Sequence, residues 1–153
     1  TEWAILHGAD IIIHFDADGQ FEPRELTDFI APLLKGEADV VLGSRFLGNA
    51  KQHIPWTKRV IVLPIARVIN RLVTGVKLSD AHNGLRAFTR RATMKINITQ
   101  DRMAHNSNIV AEIKKHHLRF KELPVTVYYN SYGQKPLAGF TILKDLFLEL
   151  MIK

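Results

Sequence analysis

The stretch Asp10-Ile11-Ile12-Ile13-His14-Phe15 constrains the fold more than any other part of the chain. A short apolar, β-branched run of this kind suits a strand buried on both faces, as in a parallel sheet. It ends in Asp16-Ala17-Asp18-Gly19, and residues 23–34 follow with Pro23 near the start. Leu26, Phe29, Ile30, Leu33 and Leu34 fall at helical spacing and Gly36 stands beyond them, the pattern of an amphipathic helix. Ala38–Leu42 is a second apolar run. Residues 10–42 therefore spell one β–α–β unit, with a right-handed crossover by default. The expectation is an α/β fold with a mostly parallel sheet flanked by helices.

The remaining text extends this alternation. Thr1–His7 reads as the tail of a helix stopped by Gly8. Gly43–Pro55 is loop-like, and Pro55–Thr74 reads as a helix interrupted by Pro64. A strand is expected at 84–89, a short helix at 90–97, a helix at 106–117 and a strand over Phe120–Tyr129. Pro124 confines that last strand to an edge or a bulge. Leu137–Ile152 reads as a closing helix, too short and too charged to span a bilayer. No repeat or linker divides the 153 residues, which suffice for one domain with a substantial core. The chain opens in mid-architecture, because a nucleotide-binding α/β sheet normally begins with a strand and its base or phosphate loop. A C-terminal portion of a larger domain is the expectation. No basic start leads into an apolar segment, so no signal peptide is expected.

Charge divides the chain unevenly. Residues 1–40 hold nine acids against two bases, whereas residues 44–95 hold eleven bases and one acid, Asp80. A basic stretch of that size calls for anionic company: ligand phosphates, an anionic membrane surface or nucleic acid. The stretch has only Phe46, Trp56 and Phe88 as aromatics, so the base-stacking platform of a single-strand binder is missing. No cysteine is present, which removes disulfides, thiolate metal sites and thiol nucleophiles. The seven histidines show no metal-ligand spacing; His82 and His105 alone lie near polar motifs of interest.

Three motifs carry chemistry. The first is Asp16-x-Asp18-Gly19-Gln20 at the end of a buried strand, where α/β sheets bind ligands. Paired carboxylates are hard ligands for Mg²⁺ or Mn²⁺ bridging a diphosphate, and Gln20 adds a neutral oxygen. The same letters also spell a turn, with Asp capping backbone amides and Gly at positive φ. An EF-hand is excluded, because its glycine falls at loop position six. In haloacid-dehalogenase-like phosphatases a strand also ends in Asp-x-Asp-Gly, the first Asp acting as nucleophile; the late acidic pair that chemistry needs has no counterpart here. The second motif is Gly43-Ser44-Arg45, directly after the second strand, which sets Arg45 at the same sheet edge for bidentate phosphate contact. The third is Asp80-Ala81-His82-Asn83-Gly84-Leu85-Arg86, a polar loop entering a strand.

In this order the motifs resemble glycosyltransferase family 2, closest to the bacterial branch of polyprenyl-phosphate mannosyl- and glucosyltransferases. The likeness also takes in Phe46, Asn70-Arg71-Leu72-Val73-Thr74-Gly75 and Glu122-Leu123-Pro124-Val125-Thr126-Val127-Tyr128-Tyr129. It implies a partial GT-A fold, Rossmann-like, with the nucleotide-base-binding strands upstream of this chain. It implies that Asp16, Asp18 and Gln20 bind Mg²⁺ or Mn²⁺, and that Asp16, Asp18 and Arg45 bind the nucleotide-sugar donor. Arg59, Asp80, Asn83 and Arg86 would hold the acceptor, with Asp18, Arg45 and Arg86 acting in the chemical step. This chain reads Ser107-Asn108 where many relatives have Ser-Glu, and its Gly133-Gln134-Lys135-Pro136 rearranges a Lys-Gly-Gln loop.

The implied reaction is inverting transfer of a sugar from a nucleotide diphosphate to a lipid phosphate or a glycan. A phosphate monoester, with a second pKa of about 6, attacks without help from a base, whereas a sugar hydroxyl needs one. The resemblance thus favours a polyprenyl phosphate acceptor in cell-envelope polysaccharide synthesis. Lys58, Arg59, Arg67 and Arg71 lie among aliphatics and Trp56, as in an interfacial helix, so peripheral attachment to the cytoplasmic face of a membrane is expected. The rival readings are an inert remnant, a phosphatase and a nucleic-acid-binding module.

Overall fold

In the computed structural model the described residues are 1–48, 64–65, 68, 71–72, 75–80, 83–97 and 104–128. They include the helices α1 (Glu2–Leu6), α2 (Leu26–Leu34), α3 (Arg90–Lys95) and α4 (Ala104–Lys115). They also form four strands, β1 (Ile11–His14), β2 (Val40–Ser44), β3 (Arg86–Thr89) and β4 (Phe120–Pro124). The expected helix over 137–152 and most of that over 55–74 lie outside the described residues; residues 64, 65, 68, 71 and 72 are helical.

The strands make one sheet in the order β1-β3-β2-β4. β3 runs antiparallel to both β1 and β2, and β4 runs parallel to β2. The expected β–α–β unit therefore exists as β1, α2 and β2 running the same way, but its two strands are not neighbours. β3 is inserted between them, so the sheet is mixed: three strands agree in direction and one opposes. A short run such as Leu85-Arg86-Ala87-Phe88 reads alike in either direction, so periodicity alone does not reveal the reversal.

The pleat divides the core into two layers. Ile11, Ile13, Val41 and Ala87 face Phe29 and Leu33 of α2. Val40, Leu42 and Phe88 face Ile109, Val110 and Ile113 of α4 and Ala92 of α3. Each large side chain buried this fully contributes about 1.5–3 kcal/mol relative to exposure. The first turn of the expected 23–34 helix is a tighter 3-10 turn, Pro23–Glu25, and α2 begins only at Leu26. Pro23 suits that position, since the amide it lacks has no helical acceptor there. Thr89 ends β3 and caps α3, its hydroxyl accepting from the Ala92 amide at 3.2 Å.

β4 is an edge strand and stops at Pro124, short of the expected Tyr129. Beyond it the chain stays extended: Val125 N donates to Ser44 O at 3.0 Å, and Tyr128 N to Gln20 O at 2.8 Å. Val127 and Phe21 form an isolated antiparallel bridge. Both Glu25 carboxylate oxygens accept from Thr126 N, at 3.2 and 3.0 Å. The loop after β1 is thus stitched to the stretch after β4. At the opposite end Asp39 is buried, and its carboxylate accepts from Arg119 N at 2.9 Å and Nε at 3.2 Å. The Arg119 hydrogen bond holds the Asp39 carboxyl below the ordinary carboxylate range, against the opposing effect of burial.

Candidate functional site at one sheet edge

β1 and β2 deliver their C-terminal ends to the same edge of the sheet, and β3, running the other way, starts there. His14, Arg86 and Leu42 lie side by side across the three strands. Asp16 and Asp18 follow that row on one side and Arg45 on the other, while Asp80 and Asn83 precede Arg86. This is the carboxyl edge at which open α/β sheets bind ligands.

Asp16 sits over the backbone of Gly84. A Cβ built on Gly84 would lie 2.2 Å from Asp16 Oδ2, so the carboxylate keeps this place only over a glycine. Gly43 plays the same part for Asn83: a Cβ there would lie 2.6 Å from Asn83 Oδ1. Asn83 is itself buried, and its Oδ1 accepts from Leu85 N at 2.9 Å. Its Nδ2 is buried without a hydrogen-bond partner among the described residues. A buried donor left open beside a carboxylate and an arginine carries a desolvation cost, and a ligand oxygen or an ordered water would relieve it.

Arg86 is 3% exposed, and its Nε donates to Asn83 O at 3.0 Å. Burial pulls the guanidinium pKa down to about 10, and the nearby carboxylates of Asp80 and Asp16 oppose that fall. Arg86 therefore stays charged throughout the neutral range, as a phosphate-holding cation requires.

Arg45 meets Asp80 in a two-pronged pair, Nε to Oδ2 at 2.7 Å and Nη2 to Oδ1 at 2.9 Å. The Arg45 amide adds a third bond to Oδ2 at 3.1 Å. Asp80 is 5% exposed, whereas the Arg45 side chain keeps 26% of its surface open. Below them Glu122, next to Leu42 across the sheet, accepts from Ser79 N, Ser79 Oγ and Asp80 N at 2.9, 2.8 and 3.2 Å.

Asp18 shows both features of the turn reading. Its Oδ1 accepts from Gln20 N at 3.0 Å, and Gly19 has φ +77°. A carboxylate offers about four lone-pair positions, so one amide contact leaves room for a cation. No group of three or more His, Cys, Asp or Glu suited to a metal occurs among the described residues. The donor set at Asp16 and Asp18 fits Mg²⁺ or Mn²⁺ only in the mode in which one or two carboxylates are completed by ligand phosphates and water. Both side chains are exposed, and Gln20 is half-buried beside them.

Of the residues expected at the site, Asp16, Asp80, Asn83, Arg86 and Arg45 form one connected group, and Asp18 and Gln20 lie on the loop that carries Asp16. Arg59, His82 and the His105 side chain lie outside the described residues. Sequence reasoning missed Ser44, Ser79 and Glu122 as the polar floor. The signal was present in Phe120-Lys121-Glu122, where alternation sends a carboxylate to the same face as an apolar Phe120.

The family model for glycosyl transferase family 2 matches residues 7–97. Over 95% of its length the chain is 34% identical to an uncharacterized protein of Methanocaldococcus jannaschii, covering 63% of that relative. It is 32% identical, over 95% of its length, to the UDP-N-acetylglucosamine–dolichyl-phosphate N-acetylglucosaminyltransferase of Methanococcus voltae, covering 61% of it. It is 27% identical, again over 95%, to the polyprenol monophosphomannose synthase of Mycolicibacterium smegmatis, covering 56% of it. The chain thus spans less than two thirds of each of these relatives.

Proposed function

The chain belongs to glycosyl transferase family 2, and on that premise we propose that its protein transfers a sugar from a nucleotide diphosphate to a polyprenyl phosphate. The observation that carries this reading is the convergence of Asp16, Arg86, Asp80 and Arg45 at one sheet edge. There Arg86 stands near Asp16, whose carboxylate lies against the backbone of Gly84, and Arg45 is held by Asp80. Two relatives, one named for dolichyl phosphate and one for polyprenol monophosphomannose, support the acceptor class.

The state of the carboxylates supports a phosphate acceptor over a sugar hydroxyl. A hydroxyl needs a base in reach, yet both Asp80 oxygens are taken by Arg45 and both Glu122 oxygens by the Ser79 region, and in this reading Asp16 and Asp18 are given to the metal. A phosphate monoester is largely dianionic near neutrality and attacks the anomeric carbon unaided, with inversion. The protein then supplies orientation and positive charge. Arg45 and Arg86 hold phosphate oxygens of donor and acceptor, and the Asn83 amide donates to one of them. Asp16 and Asp18, with Gln20, would hold Mg²⁺ or Mn²⁺, whose charge would stabilise the departing nucleoside diphosphate. Family membership leaves no place for the phosphatase reading.

The reading includes attachment at the cytoplasmic membrane face, where a polyprenyl phosphate headgroup is reached. Ile65, Val68 and Leu72, at one-face helical spacing, are 46%, 59% and 71% exposed, beside the exposed Arg71. An apolar stripe flanked by bases suits an anionic bilayer surface better than nucleic acid. No helix among the described residues is long and apolar enough to cross a membrane.

The test is direct. The full-length protein, given a panel of nucleotide sugars and polyprenyl phosphate in anionic vesicles, should yield a lipid-linked sugar, and EDTA should stop the reaction. Transfer to free glycans but not to lipid phosphate would overturn the acceptor. EDTA-resistant transfer would overturn the metal.

A further inference from the structure

We propose that Glu122 is a positioning residue for Arg45, acting through Ser79, Asp80 and Ser44. The inference rests on the reading above only in taking Arg45 as a phosphate-holding group. Glu122 lies on β4, and its carboxylate receives two consecutive backbone amides. Ser79 N donates to both oxygens, at 2.9 and 3.0 Å, and Asp80 N to Oε1 at 3.2 Å. Successive backbone amides converging on one anion form a rigid nest, and here the anion belongs to the protein.

Two connections run from this nest to Arg45. Through the backbone, it fixes Asp80, whose carboxylate grips the Arg45 amide, Nε and Nη2. Through hydroxyls, Ser79 Oγ donates to Glu122 Oε1 at 2.8 Å and lies 2.6 Å from Ser44 Oγ. Because the Ser79 proton is committed to the carboxylate, Ser44 must be the donor in the short contact. The Ser44 oxygen then accepts from Phe46 N at 3.1 Å. The residues on either side of Arg45 in sequence are therefore tied to the same carboxylate that sets Asp80. Phe46 also carries the ring over which the Arg45 guanidinium lies, 5.4 Å from its centroid. A neutral amide at 122 would offer one acceptor and present two hydrogens to a site made of donors. The 79–80 loop would retreat, and Asp80 and Arg45 with it.

The test is a double-mutant cycle in the full-length protein, measuring kcat and donor and acceptor KM for E122Q, R45A and the double variant, with a thermal scan of each. E122Q should lower kcat about ten- to hundredfold, the penalty of misplacing a charge-stabilising group by about 1 Å. Added to R45A, E122Q should cost almost nothing more, because its effect is exerted through the missing guanidinium. A merely structural carboxylate would give multiplicative losses in both backgrounds, and that result overturns the inference. If R45A alone leaves transfer unchanged, the role assigned to Arg45 is overturned and that of Glu122 falls with it. If R45A is crippled while E122Q equals wild type, only the role of Glu122 is lost. Should E122Q fail to fold, Ser79→Ala removes the hydroxyl branch alone. It should cost about two- to tenfold, the size of one hydrogen bond, and again nothing in the R45A background; an additive loss there has the same overturning force.

Discussion

Replacing Gly84 by alanine probes the site where the backbone leaves least room. The new Cβ would lie 2.2 Å from Asp16 Oδ2 and 3.2 Å from its Cγ, whereas a relaxed carbon–oxygen contact is roughly 3.3 Å or more. The carboxylate must retreat by about 1 Å, or the 83–85 loop must drop away from it. Asp16 is exposed and has solvent to swing into, so the carboxylate moves and the fold is largely spared. Thermal unfolding should shift by no more than about 1 kcal/mol in stability. The functional cost is larger, because a 1 Å error in a group that orients reactants can cost about a hundredfold. The assay is paired: Mn²⁺ titration of the full-length protein, and steady-state transfer with nucleotide sugar and polyprenyl phosphate. Gly84→Ala should weaken Mn²⁺ binding and lower kcat at a nearly unchanged melting temperature. Wild-type affinity and turnover would refute the reasoning, since Asp16 cannot keep its place with a methyl group 2.2 Å away.

Three further outcomes are expected. Asp18→Ala should abolish Mn²⁺ binding while scarcely altering stability, because the hydrogen bond it makes among the described residues, to Gln20 N, is exposed; unchanged affinity would leave Asp18 a turn residue only. Asp39, whose carboxyl is held low by Arg119, adds stability that is full above the ordinary carboxylate range and is lost as pH falls through its lowered value. Asp39→Asn should therefore cost about 1–3 kcal/mol at pH 7 and flatten the acid limb of a denaturation-versus-pH profile below about pH 4; an unaltered acid limb would assign the acid sensitivity to other groups. In flotation assays the protein should bind anionic vesicles, bind neutral ones weakly and detach at high salt, with DNA competing poorly; micromolar oligonucleotide binding without vesicle binding would replace the membrane reading with a nucleic-acid one.

What the sequence made legible follows from how local each signal is. The isoleucine run and the spacing of Leu26, Phe29 and Leu33 depend on neighbours a few residues away, and β1, α2 and β2 formed where those patterns lie. Ends were less legible, because they are set by partners far along the chain. β4 stops at Pro124 because its partner β2 ends at Ser44, whose carbonyl takes the last ladder bond from Val125 N, and the stretch beyond pairs with Phe21 instead. Asp16, Arg45 and Arg86 stood out in the sequence as polar residues bordering apolar runs, and Asp80 and Asn83 as members of one polar loop; the structure gathers all five at one sheet edge. Alternation hints that Glu122 faces inward, but its partners, two amides more than forty positions back, have no local signal.

The direction of β3 ties these observations together. In an all-parallel sheet each strand brings its C-terminal loop to the binding edge, and a loop that enters a strand lies at the far side. Asp80–Leu85 enters β3, so parallel pairing would have separated it from Asp16 and Arg45 by the length of the sheet. Insertion of β3 antiparallel between β1 and β2 reverses its ends. The entering loop then arrives where β1 and β2 finish, with Arg86 between His14 and Leu42. The same reversal explains the two glycines of close approach. A loop inserted between the outgoing ends of two strands has backbone pressed on either side, with Gly84 under Asp16 and Gly43 against Asn83. It also explains why the site holds charges of both signs at close range. The acidic part of the chain supplies β1 and its loop, the basic part supplies Arg45 and Arg86, and the antiparallel strand interleaves them. A phosphate-rich ligand would there meet positive charge on rigid strand ends, beside carboxylates suited to a divalent ion.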